Sequence, residues 1–248
     1  MLVDIWTVAC KDWQEMLRAG GGARSGLVRL LVFPAILGIF LPLQAAGTWV
    51  TEPEALLSYA WLPAFLVMGV IADSFAGERE RHTLETLLAS RLPDRSILFG
   101  KILGAVGFGW GLTLLTLALA LVTVNVAYGH GRLLLYTPAM ALAATGFSFL
   151  EALVTASAGA LISLHAPTVR HAQQTLTFGF LGVMAALYAP FLLWYTLPSV
   201  RQLALLKAAA ALSPTQAAAA AAIALAALSG TLLAVGMRRF QRARLILD

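Results

Sequence analysis

Charge is scarce in this chain, and the scarcity is its first constraint. Only 12% of the 248 residues are charged and 60% are hydrophobic, where soluble globular domains hold about 25% charged residues. With a mean hydropathy of +0.82, the composition excludes a soluble domain and indicates an integral membrane protein. Cysteine is almost missing: Cys10 stands alone, so no intramolecular disulfide can form and the residue reads as a small packing group on a helix. The apolar–polar alternation of a transmembrane barrel is absent, which leaves a helical bundle. Also lacking are a nucleophile paired with a base, a G-x-x-x-x-G-K-S/T phosphate loop, and a metal-ligand spacing among the four histidines. No catalytic residue, metal or cofactor is therefore expected in this chain. The first residues, MLVDIWTVACKDWQEMLR, have neither a basic start nor an unbroken apolar run, so no cleaved signal peptide is expected.

What is present is a series of apolar runs that reach the roughly 20 residues needed to cross about 30 Å of hydrocarbon. Six spans are expected, over residues 27–46, 56–75, 102–127, 136–164, 175–197 and 214–237, the last weakened by the alanine-rich stretch 216–222. The expected fold is an all-α membrane bundle forming a single domain over 1–248. Lys and Arg set its orientation. With the N-terminus inside, the inner segments hold Lys11, Arg18, Arg24, Arg29, Arg79, Arg81, Arg91, Arg95, Lys101, Arg170, Arg238, Arg239, Arg242 and Arg244. That is fourteen of the seventeen bases, and only Arg132, Arg201 and Lys207 fall outside. Both termini are thus expected on the cytoplasmic side of a cell (inner) membrane. The net charge of +5 reflects this inside bias and gives no reason to expect nucleic acid.

Residues 1–23 read as an amphipathic helix. On a 3.6-residue period Trp6, Ala9, Cys10, Trp13, Met16 and Leu17 share one side, while Asp4, Lys11, Gln14, Glu15 and Arg18 take the other. Two Trp rings on an apolar stripe suit the headgroup boundary, so the helix is expected to lie on the inner membrane surface, against lipid. A turn at 20–22 then leads into the first span.

The longest charged island, 72–103, separates the second and third spans. Asp73 and Ser74 are expected to close the second span, and 77–81 to emerge into water. Thr83 is placed to cap a short helix with Leu84, Leu87 and Leu88 on one side, ended by Leu92-Pro93-Asp94. A short exposed helix with Leu on one face and ions elsewhere suits docking of a partner; the bland alternative is a solvated loop that follows the inside rule.

The run Glu78-Arg79-Glu80-Arg81-His82-Thr83-Leu84-Glu85-Thr86-Leu87-Leu88-Ala89-Ser90, then Pro93 and Gly100-Lys101, resembles the pattern E-x-E-x-G-T-L-E-x-L-L-x-x-P followed by G-K of type 2 (type V fold) ABC export permeases. His82 replaces the usual Gly, and Leu92 displaces the Pro slightly. The wider layout is similar over essentially the whole chain. The resemblance implies that 76–100 is the cytoplasmic coupling segment, with Glu78, Arg79, Glu80, Arg81, Thr83, Leu84, Glu85, Leu87 and Leu88 in contact with an ATPase. It implies a separate ABC ATPase subunit that carries ATP and Mg, and a second permease copy. A second inner loop, 164–174, is a lesser candidate contact.

Glu151 is the one acid near the middle of a span. A charge there costs about 2.5 to 3.5 kcal/mol on insertion scales, so it must face protein or a water-filled path. The favoured reading is a neutral carboxyl hydrogen-bonded through Thr145, Ser148, Thr155 or Asn125; the other is a residue lining a translocation path. Gly104, Gly107, Gly109 and Gly111 read as sites of close helix packing, and 198–214 as an outer interfacial or re-entrant segment. The function expected is a permease subunit of an ATP-driven exporter. The alternative is a proton- or ion-coupled secondary transporter using Glu151, against which the absence of recognisable inverted repeats weighs.

Overall fold

The computed structural model describes residues 2–18, 23–52, 59–194 and 213–240. The expected turn at 20–22, the outer segment 198–212 and the bases Arg242 and Arg244 lie outside these residues. All regular structure among them is helical: α1 (Leu2–Arg18), α2 (Ala23–Ala45), a 3-10 turn (Ala46–Val50), α3 (Leu62–Glu80), α4 (Leu84–Ala89), α5 (Asp94–Tyr128), α6 (Pro138–His165), α7 (Val169–Trp194) and α8 (Pro214–Arg239). Three stretches, Asp94–Tyr128, Pro138–His165 and Thr215–Arg239, are long and apolar enough to cross a membrane. The other three expected spans overlap α2, α3 and α7.

Local chemistry fixes the helix starts. Thr137 accepts from the Met140 N–H ahead of Pro138, and Ser213 forms a reciprocal capping box with Gln216 ahead of Pro214. The start of α5 differs from the expected span 102–127. Its helix begins at Asp94, after the extended Pro93, so the first two turns carry Arg95 and Lys101 and bury Ile97 and Leu98. With 35 residues, α5 is roughly 52 Å long and exceeds the hydrocarbon thickness.

α5 is the central helix, packed by α1, α2, α3 and α6, while α6 also packs α3, α7 and α8. Buried residues form two clusters. One, at the end bearing the charged island, joins Phe75, Ile97, Leu98, Ala156, Ala160 and Phe240. The other holds Trp49, Tyr59, Leu62, Leu117 and Val124. In α2, Pro42 cannot donate to the Gly38 carbonyl, and the Thr123 hydroxyl of α5 donates to it instead at 3.0 Å.

α1 packs against α5 along part of its length. Val8 and Ala9 are buried, and the Trp13 indole N–H donates to the Gly104 carbonyl of α5 at 2.7 Å. Glycines permit this approach: a Cβ on Gly100 would stand 2.6 Å from the Val8 Cβ, and one on Gly107 2.7 Å from the Trp13 ring. Gly109 likewise seats Val67 of α3, whereas Gly111 faces open space. α1 is therefore held on protein by Val8, Ala9 and Trp13, while Leu2, Val3 and Trp6 are exposed.

Candidate functional site

The charged island is built from the end of α3 outward. α3 does not stop at Asp73 and Ser74 but runs to Glu80, with Ala76, Gly77 and Glu78 buried. It ends in a Schellman turn: the Thr83 N–H bonds the Glu78 carbonyl at 2.8 Å and the His82 N–H the Arg79 carbonyl at 3.1 Å. His82 occupies the left-handed position of that turn, with φ +56°. A side chain there costs roughly 1–2 kcal/mol that glycine avoids, which accounts for glycine in the motif that His82 departs from.

Glu78 points inward. Its Oε1 lies 3.3 Å from Lys11 Nζ of α1 and 3.5 Å from Lys101 Nζ of α5, and its Oε2 accepts from the Thr83 hydroxyl. Lys101 is 3.7 Å from Asp12 and sits 5.4 Å from the centroid of the Phe75 ring. Thr83 therefore spends its hydroxyl on Glu78 and gives α4 no side-chain cap. Burial pushes the Glu78 carboxyl up, but the Thr83 hydroxyl with the two lysines outweighs it and holds the group below the ordinary range. At Asp12 burial wins and raises the carboxyl. For Lys11, burial is outweighed by Glu78 and Glu15, which raise the ammonium. Two buried charges persist here because each has partners.

The next two residues hold opposite ends of one turn. The Arg79 guanidinium donates to the Leu164 carbonyl at 2.8 Å and to the Ala166 carbonyl, covering the C-terminal end of α6. Glu80 accepts from the Val169 N–H at 3.0 Å, at the N-terminus of α7. Arg81 instead turns back to Asp73 at 2.7 Å, and both side chains stay half in water.

In α4 the apolar side faces the protein. Leu84 is buried and Leu87 packs on the core cluster, while Glu85, Thr86 and Ala89 are exposed; the Leu88 side chain lies outside the described residues. The leucines moor α4 to its own chain, and the outward surface is polar. Of the motif residues, Glu78, Arg79, Glu80 and Leu84 are engaged internally, and Glu85 faces out. Sequence reasoning missed Lys11, Asp12 and Lys101 as members of one cluster. Their signal was a charge flanked by core residues, as in Gly100-Lys101-Ile102 and Asp12-Trp13.

Glu151 is half-buried on α6. The expected partners are otherwise engaged: Thr145 and Ser148 donate to carbonyls of their own helix, and Asn125 bonds Leu121 and Leu134. No hydrogen bond joins Glu151 to Thr155 or to another described residue.

The family model described as ABC-2 type transporter matches residues 3–193, more than half of the chain and all of the charged turn. None of the curated proteins matches the chain.

Proposed function

The chain belongs to the ABC-2 type transporter family, making it the multi-pass membrane permease of an ABC transporter, and we propose that it serves as the export permease of an ATP-driven complex. In this reading six spans cross the cell membrane with both termini cytoplasmic, two copies form the path, and a separate ATPase supplies hydrolysis with its own ATP and Mg. α4 and the turn before it form the coupling segment. The observation that carries the reading is α4 itself. It is held to the bundle by Leu84 and Leu87 while Glu85 and Thr86 face outward, which is what a rigid contact for a second subunit requires. Charge reversal at Glu85 is the test, because this side chain is exposed and takes no part in the ion cluster. Glu85→Lys is expected to leave folding intact and to reduce copurification of the ATPase and transport-linked hydrolysis. Undiminished association with normal coupled hydrolysis would remove α4 from the contact.

Glu151 is proposed to line the translocation path of this complex. A mid-span carboxyl with no hydrogen-bond partner among the described residues suits contact with water or cargo, and its half-buried setting on α6 supports that role.

A further inference from the structure

Two consecutive rungs of α3 are served by serine hydroxyls. The fully buried Ser163, on the last turn of α6, accepts from the Phe75 N–H at 3.1 Å and the Ala76 N–H at 3.0 Å, and donates to the Ala72 carbonyl at 2.9 Å. The Ser74 hydroxyl donates to the Ile71 carbonyl at 2.7 Å. Each donor and each acceptor of the rungs joining Ile71 to Phe75 and Ala72 to Ala76 thus has a hydroxyl partner. A side chain inserted into the i to i−4 ladder is one of the few causes of helix bending. In hydrocarbon an opened rung without a partner costs several kcal/mol; here the partners are already in place.

The position of these rungs matters. Above them α3 packs in the membrane half of the bundle. Below them, Glu78, Arg79 and Glu80 tie α3 to α1, α5, α6 and α7. One turn before Ser163 on α6, Gly159 stands so close that a Cβ there would lie 2.2 Å from Ile71 Cγ2, so α3 and α6 are in close contact at this level. Phe75, between the two halves, has its ring 5.4 Å from that of Phe240.

We infer that Ser163 is the pivot of α3: its hydroxyl exchanges with the two rungs as the membrane half of α3 tilts against the charged layer below. Ser163 is a positioning residue, since it acts through the backbone of α3. The inference rests on the reading of that charged layer as the ATPase-coupled one, but its first test needs no ATPase.

Spin labels at Phe65→Cys and Ala89→Cys, in a Cys10→Ser background, report the separation of the two halves in the isolated permease held in nanodiscs. The expected result is a broad distance distribution with Ser163, a narrowed one in Ser163→Ala, and restored breadth in Ser163→Thr, which keeps the hydroxyl. In unlabelled permease reconstituted with the cognate ATPase, Ser163→Ala is expected to lower transport about tenfold, the scale of one hydrogen bond, with ATPase association unchanged and Ser163→Thr restoring transport. Coincident distributions for Ser163→Ala and the parent, or normal transport by the alanine variant, would overturn the pivot. Should no ATPase associate with the unaltered permease, the export reading falls, and the label distances still decide the pivot.

Discussion

Glu78 and Lys101 stand at opposite ends of the charged island and meet inside the protein, with Lys101 Nζ 3.5 Å from Glu78 Oε1 and the two side chains 3% and 5% exposed. Their contact closes the base of the loop that carries α4, so α4 is presented on a clamped support. Lys11 of α1 joins the same carboxylate, which makes the N-terminal helix part of the clamp.

Removing one partner exposes the cost of this arrangement. Lys101→Met leaves Asp12 without its nearest cation and Glu78 with only the half-exposed Lys11 and the Thr83 hydroxyl, so the cost is expected to fall below the ~3–5 kcal/mol of a fully broken buried pair. The variant is expected to melt well below the parent in detergent by scanning fluorimetry. The double variant Lys101→Met with Glu78→Gln is expected to recover part of the loss, because the buried Glu78 charge that has lost one of its two cations is gone. Parent-like melting of the single variant would show that the pair is not holding the fold.

The same cluster predicts a pH dependence. Glu78 has a folded pKa below its ordinary 4.5, so its stabilising contribution is fully present above 4.5 and is lost as pH falls through the lower folded value. Asp12, raised above 3.8 chiefly by burial, works in the other direction; its burial is common to parent and Glu78→Gln, and only the smaller contribution of the Glu78 charge is lost. The difference in melting temperature between these two proteins should be constant near neutral pH and shrink in acid below 4.5. Lys11, raised above 10.5, contributes stability below that value and loses it as pH rises through the raised one. A parent–variant difference that persists unchanged into acid would contradict the assignment.

His82 predicts a gain. Glycine at this left-handed position avoids roughly 1–2 kcal/mol of strain and adds about 0.4–1 kcal/mol of unfolded-chain entropy. His82→Gly is therefore expected to stabilise the protein by about 1 kcal/mol in a denaturation series, with the outward surface of α4 and ATPase association unchanged. A loss of stability would mean that the His82 side chain makes contacts worth more than the strain.

Glu151 is expected to matter for transport more than for folding. Glu151→Gln keeps size and hydrogen-bonding capacity but cannot ionise. Since no described residue bonds this carboxyl, the variant is expected to assemble and melt as the parent does while losing transport in proteoliposomes. Normal transport by the glutamine variant would return Glu151 to a packing role.

The helical architecture and the family were legible in the sequence, because apolar run length and the pattern from Glu78 to Lys101 are written along the chain. The small-residue contacts of α5 were legible in part: Trp13 and Val67 press close on Gly107 and Gly109, Gly104 is in ordinary contact with Ala9, and Gly111 faces open space. The direction in which α4 faces was not. Leucines on one side of a short helix can meet a partner or the parent chain equally well, and only burial separates the two: Leu84 faces the core. Nor was the partner of α1 legible, because an apolar stripe with two Trp residues suits a membrane surface or a glycine-lined helix by the same periodicity. Ser163 carried no signal, as a serine near a helix end is ordinary until its hydroxyl is seen among the rungs of another helix.

By itself the sequence determined a chain that lives in a membrane, is made of helices, and carries one motif-bearing charged island between two of them. Composition and period act within a few residues of each position, so these properties need no knowledge of the rest of the chain. The tertiary structure alone decided which charges of that island turn inward. Glu78 meets Lys11 and Lys101, Arg79 reaches the end of α6, and the Ser163 hydroxyl bonds the backbone of α3. Each of these contacts joins segments far apart in sequence, and a buried charge or a buried hydroxyl is stable only where such a distant partner has been brought within hydrogen-bonding reach.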